Sequence, residues 1–205
     1  AAKILFGKVY LTKGDFQKAK DKLAEVVEHE SEYGFGLHKD YHANWLRDTE
    51  AGIEAVLYIE YKEPPFQHNG EMALAGPKYS IPGSLGISAL NEADIPTQEL
   101  YDQFDNRDLR KKTNFKTEFA HLKTGEILKS SIPLSGKFWV EGLETGDRCD
   151  VNMHIIRYAD AILMYAEALN EVGESTKALA MLNRIRERAF GDDSGNFKPM
   201  SKDEF

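Results

Sequence analysis

The chain has 205 residues, 41% of them apolar, enough to bury a core and to exclude disorder as the state of the whole. Its net charge of −8 argues against nucleic acid as a partner, because phosphate binding calls for clustered Lys and Arg. A single cysteine, Cys149, excludes an internal disulfide framework and a four-cysteine zinc site.

From Ala1 to Glu28 the pattern predicts two helices. Ile4, Leu5, Val9 and Leu11 lie on apolar faces of the first, Lys13-Gly14 breaks the chain, and Asp15 is placed to cap the second through its carboxylate. Phe16, Ala19, Leu23, Val26 and Val27 then form a helical stripe. Gly7, Tyr10, Gly14, Phe16, Ala19 and Leu23 fall on the spacing of a tetratricopeptide unit, in which small residues let two helices approach and large ones fill the gap.

The aromatic-glycine run Tyr33-Gly34-Phe35-Gly36-Leu37 ends this helical region. It gives only the first half of a dinucleotide fingerprint and follows a helix instead of a strand, so it carries no nucleotide reading. His38 and His42, with Asp40 between them, could meet a metal on one helical face, but the nearby glycines oppose a regular helix and no metal site is expected. Ala55 to Tyr61 is the best strand candidate.

Six of the seven prolines lie between Pro64 and Pro133, a density that prevents long regular elements. Glu63 to Asn91 reads as an ordered loop system, because Phe66, Met72, Leu74, Tyr79, Ile81 and Leu85 remain for packing. Thr97 to Phe104 predicts a short helix capped by Thr97. After it, Asp105, Arg107, Asp108 and Arg110 form a mixed-charge cluster read as structural, and Lys111 to Gly146 is expected to hold short strands and turns. Asp147, Asp150 and Asn152 alternate oxygens, yet they lack the bidentate Glu and the glycine of a calcium loop and read instead as turn and cap of the next helix.

That helix is expected over Asn152–Asn170, with Ile155, Ala159, Ile162, Ala166 and Leu169 as one apolar stripe. Its partner runs from a Ser175 cap to Ala189, ended by Gly191. Ala166, Leu169, Gly173, Ala178 and Leu182 repeat the offsets of the first pair. Tandem units recur every roughly 34 residues, so a large insertion separates these two. The expected fold is mainly α: tetratricopeptide-like helix pairs with a long irregular, loop-rich insertion carrying short strands. As one domain over 1–205, it would comprise a helix pair at 1–30, a ligand-binding insertion at 31–150 and a second pair at 151–191. The two pairs would form a rigid cradle displaying the middle as a receptor face, an idea that fails if the middle folds as a compact body of its own.

Signatures of catalysis are missing at their defined spacings: there is no serine elbow, no phosphate-cradling glycine loop and no His-Glu-x-x-His. No catalytic residue and no cofactor is expected. The aromatics of the irregular region suit sugar rings, whose C–H faces stack on Trp and Tyr while hydroxyls bond to amides and carboxylates. Trp139, Tyr79, Phe66, His68 and Asn69 are the ligand-binding candidates.

The run Ile156 to Glu171, continued by Ala178-Leu179 and Leu182 to Ala189, closely resembles the SusD/RagB family of Bacteroidetes nutrient-binding lipoproteins. Three further segments match in order: Gly7 to Val27 as an earlier repeat, Glu54 to Tyr61 as a short strand, and Pro96 to Leu100 through Phe104 and Arg107 as the helix before a variable region. The resemblance implies a non-catalytic glycan-binding subunit at the outer-membrane surface, working with a SusC-like TonB-dependent transporter. It also implies a piece of a longer chain. Helical sequence already under way at Ala1 and a first helical turn at Ser201 to Phe205 fit that reading, and Cys149 lies too deep to be the family's lipidated residue. The family pattern assigns Tyr41 and Trp45 to packing.

Two other readings compete. A tetratricopeptide adaptor would grip a protein or peptide partner in its concave face, but such adaptors stack repeats without interruption. A polysaccharide hydrolase would need two carboxylates roughly 5–10 Å apart across a cleft, and none of the 34 acidic residues stands out.

Overall fold

A side chain at Gly7 would meet Leu23 Cγ at 2.5 Å, and this forced absence is what lets the first two helices touch. The computed structural model describes residues 1–62, 68–81 and 85–205. Among them the order is α1 (Ala2–Thr12), α2 (Phe16–Val27), α3 (Glu30–Tyr33), β1 (Ala55–Ile59), α4 (Glu71–Ala75), α5 (Gln98–Gln103), α6 (Arg110–Asn114), β2 (Phe115–Ala120), β3 (Ile127–Ser135), β4 (Met153–Arg157), α7 (Tyr158–Glu171) and α8 (Ser175–Phe190). Short 3-10 turns lie at Tyr41–Trp45, Gly146–Arg148, Asp193–Gly195 and Lys202–Glu204. The mainly helical architecture with a few short strands is the one expected.

These residues fall into two compact units. The first comprises Ala1–Asp40, Ala51–Tyr58 and His154–Phe205; the second comprises Tyr41–Glu50 and Ile59–Met153. The helix pairs from the two ends of the chain therefore join in one body, packing through Ile4, Leu23, Val26, Ile162, Tyr165, Leu169, Ala178 and Ile185. Leu23, Ile162 and Leu169 are sealed from solvent, each stabilising the fold by roughly 1.5–3 kcal/mol. Gly173 and Gly191 adopt left-handed φ angles of +85° and +82° at the ends of α7 and α8.

A buried carboxylate organises this unit. Glu54 is fully buried, and Arg157 Nη1 donates to its Oε1 at 2.6 Å while Arg188 Nη1 reaches Oε2 at 2.9 Å. The His38 backbone N–H also donates to Oε2, and the Tyr158 N–H donates to the Glu54 carbonyl at 2.7 Å. One side chain thus ties β4 and α8 to the segment leading into β1.

The middle of the chain is not a loop system carried passively on helices. It has its own core of Met72, Ile81, Leu85, Phe119, Leu134, Cys149 and Val151, and so folds as a second body, contrary to the cradle idea. Nor do the units follow the 1–30, 31–150 and 151–191 partition, since residues 31–40 and 51–58 join the first. Here β2 and β3 pair antiparallel, with an irregularity between Lys116 and Glu118. The loop residues dock on this hairpin by main-chain bonds, Leu122 N–H to the Leu85 carbonyl and Ser131 N–H to that of Ser80. The stretch expected as pure loop holds α4, which supplies buried Met72 and Ala73.

Several local expectations are corrected. The helix predicted from Asn152 begins only at Tyr158, because Met153–Arg157 pairs with β1 as a strand and leaves Ile155 half exposed. The β-branched pair Ile155-Ile156 suits that extended backbone. Asp147, Asp150 and Asn152 consequently cap no helix: Asp147 accepts from Thr145, Asp150 pairs with Arg47 at 2.5 Å, and Asn152 Oδ1 accepts the Tyr61 N–H at 2.8 Å. Asp15 turns its carboxylate to Lys18, 2.6 Å away, instead of capping α2. Ser175 lies inside α8, donating to Asn170 Oδ1 at 2.7 Å. Thr97 caps α5 as expected, its Oγ1 accepting the Leu100 N–H at 3.1 Å.

Candidate functional site

Pro133 is the residue before buried Leu134 at the inner end of β3, and three residues on Gly136 makes a contact no other residue could make there. A Cβ at Gly136 would lie 2.6 Å from the Thr113 carbonyl, and the Gly136 N–H donates to the Asn114 carbonyl at 3.1 Å. This close approach joins the end of β3 to the end of α6. The chain then turns, with the Trp139 N–H donating to the Gly136 carbonyl at 3.3 Å.

That turn sets Trp139 on the wall of a cleft of about 530 Å³ within the second unit. His42, Trp45, Leu46 to Thr49, Lys112, Thr113, Lys116 and Gly136 also line it. The Trp139 indole stands edge-on to Phe119 at 4.7 Å between centroids, and its Nε1–H donates to Glu141 Oε1 at 2.8 Å. Lys116 Nζ donates to that same oxygen at 2.8 Å and lies 5.6 Å from the indole centroid. The ring is thereby fixed in plane and tilt. Trp45 packs edge-on against Phe138 at 5.4 Å and against Tyr41 at 6.1 Å, with Lys137 Nζ 5.2 Å from its ring. It is both a packing residue and a cleft wall.

An immobilised indole among charged and hydroxyl groups can stack on the apolar face of a sugar while the rim bonds its hydroxyls. Acid catalysis has less support. Burial, with the nearby Asp150 charge adding to it, pushes the Glu50 carboxyl up to about 7, but Glu50 accepts the Asn152 N–H at 2.8 Å beneath the surface and does not line the cleft. Among the described residues no group of three or more His, Cys, Asp or Glu is arranged to hold a metal ion.

Of the sequence candidates, Trp139 lines the cleft, whereas Tyr79, His68 and Asn69 do not, and Phe66 lies outside the described residues. Tyr79 is 75% exposed on a turn that Glu92 holds by accepting the N–H groups of Lys78, Tyr79 and Ser80 at 2.7–2.9 Å. Burial works against the charge of Glu92, yet those three donors keep its carboxyl below the usual range. His68 is exposed. Asn69 is buried and spends its amide on the fold, donating to the Val151 carbonyl at 2.9 Å and accepting from the Glu71 N–H at 2.8 Å. The cluster after α5 is structural, as read: Arg107 bonds Asp105 and Arg110 bonds Asp108, each within two residues of its partner. Lys116, Glu141 and Arg47 escaped sequence reasoning. They are charged residues in an irregular stretch, and no periodicity marks them.

Comparison with known proteins finds relatives of this chain. Residues 129–205 match the SusD family. The chain is 29% identical to SusD-like protein P2 of Formosa agariphila over 219 aligned positions, covering 94% of this chain and 41% of that protein. A SusD superfamily protein from Parabacteroides distasonis superposes with a TM-score of 0.81 at 23% identity, covering 98% of this chain and 46% of that one. Surface glycan-binding protein A from Bacteroides thetaiotaomicron, in complex with laminarihexaose, gives a TM-score of 0.70 at 16% identity over 97% of this chain and 48% of that one. At these identities the structural likeness shows the fold. The chain spans less than half the length of each of these relatives.

Proposed function

We propose that this chain is SusD-type and belongs to a non-catalytic glycan-binding subunit at the cell surface, a reading supported by the match of residues 129–205 to the SusD family and by the shared fold. The observation that carries the reading is Trp139, held edge-on by Phe119 and through Glu141 in a cleft that charged and hydroxyl side chains also line. Sugars need such a surface: one flat apolar face, with donors and acceptors around it. The likeness to a glycan-binding protein solved with laminarihexaose supports the same class of ligand. In this reading the subunit is an outer-membrane lipoprotein that hands oligosaccharide to a SusC-like TonB-dependent transporter, with no turnover of its own.

Calorimetry against a panel of plant, host and microbial oligosaccharides, run beside Trp139→Ala, tests it. Binding that Trp139→Ala weakens by tenfold or more, roughly the 1.4 kcal/mol expected from a lost stacking face, supports the proposal. Silence across the panel together with tight peptide binding would favour the adaptor reading.

A further inference from the structure

Two hollows of the second unit share a wall. Beside the Trp139 cleft lies one of about 400 Å³, with Tyr101, Leu109 and Phe115 as its apolar side. Lys112 and Lys116 line both. The Trp139 cleft thus adjoins, across these two lysines, a second aromatic wall, where Tyr101 stands edge-on to Phe115 at 5.3 Å.

The cations along this path differ in what holds them. Arg47 is paired with Asp150 at 2.5 Å, Lys116 with Glu141 at 2.8 Å, and Lys111 donates to the Phe104 carbonyl at 3.0 Å and to Asn106 Oδ1 at 2.8 Å. Lys112 is exposed and, among the described residues, has no carboxylate within ion-pair distance. An ammonium left uncommitted between two apolar walls suits an anionic substituent on a chain bridging both. Carboxylates line the hollows too, but Glu141 is paired with Lys116, Asp108 with Arg110 and Glu118 with Lys129, and the remaining surface charge, Asp48 included, is screened by solvent ions over about 8 Å.

Resting on the glycan reading above, we infer that the ligand is an anionic oligosaccharide, spanning both hollows with a carboxylate or sulfate ester seated at Lys112. The two sources share one chemistry, a charge-assisted bond from ammonium to an oxyanion.

The test is calorimetry with three oligosaccharides of matched length and linkage, one neutral, one bearing uronic acids and one sulfated, at low and at high ionic strength. An anionic ligand binding roughly tenfold tighter than the neutral one, with an advantage that shrinks in salt and falls toward unity in Lys112→Ala, supports the inference. The tighter of the two anionic arms identifies the substituent. Equal affinity for neutral and anionic ligands, still lost in Trp139→Ala, overturns the inference and leaves the glycan reading standing. An anionic preference untouched by Lys112→Ala also overturns it. Binding of no sugar at all removes both.

Discussion

Arg188 Nη1 lies 2.9 Å from Glu54 Oε2, and both side chains are almost closed to solvent. Glu54 also serves Arg157, so removing it takes an ion pair from two guanidinium groups, one of them buried. Breaking a buried pair from one side costs about 3–5 kcal/mol, because the surviving charge has lost both water and partner. Glu54→Ala is therefore expected to unfold at markedly lower urea. A midpoint within error of the parent would show that the arginines find other partners.

The approach of Gly136 to the Thr113 carbonyl leaves no room for a methyl group, and the obstructing atom is backbone. Gly136→Ala should cost about 1–3 kcal/mol and shift Trp139 with it. Gly125 is the contrast: its φ is +71°, but nothing lies within 4 Å of its added Cβ. Gly125→Ala should show only the strain of a left-handed φ, roughly 1–2 kcal/mol, and leave ligand affinity intact. Thermal melts with calorimetry on both variants separate the two effects.

Glu50 gives a pH signature. Burial raises its carboxyl from 4.5 to about 7, so between those values the folded chain binds a proton that the unfolded chain does not. Stability contributed by Glu50 is then greatest below pH 4.5 and falls as pH rises to about 7. Glu50→Gln keeps an acceptor for the Asn152 N–H without the charge. It should match the parent in acid and be more stable, by roughly 1–2 kcal/mol, above neutrality. A stability gap that does not change with pH would contradict this origin.

Glu141 holds both Trp139 and Lys116 through one oxygen, yet its side chain is 58% exposed. Exposed ion pairs stabilise folds by only about 0–1 kcal/mol, so Glu141→Ala should barely move the melting temperature. It should nonetheless weaken sugar binding several-fold by freeing the indole to rotate. Equal affinity in variant and parent would mean that Phe119 alone fixes the ring.

Much of the first unit was legible in the sequence because helices advertise themselves by period. Gly7 and Leu23, or Ala178 and Ile185, lie on faces that a 3.6-residue repeat reveals. The same logic misread Met153–Arg157, where Ile155 and Ile156 continued the apolar pattern of α7 although β1 claims them as a strand. The cleft was harder to read. Trp139 stood out as a large aromatic in irregular sequence, but Lys116 and Glu141 are joined across 25 residues by a geometry that only the folded hairpin creates. Asn69, a polar residue in a loop, has a side chain that serves the main chain, a use that its sequence position does not reveal.

The chain passes between its two bodies at residues 40–41, 50–51, 58–59 and 153–154. During synthesis the second body has all its parts once Met153 has emerged, while the first still awaits α7 and α8. Until α7 follows, Ile4 and Leu23 lack the residues that cover them in the folded unit. The first body, unlike one built from a contiguous stretch, therefore cannot complete its core before residues 59–153 have been made.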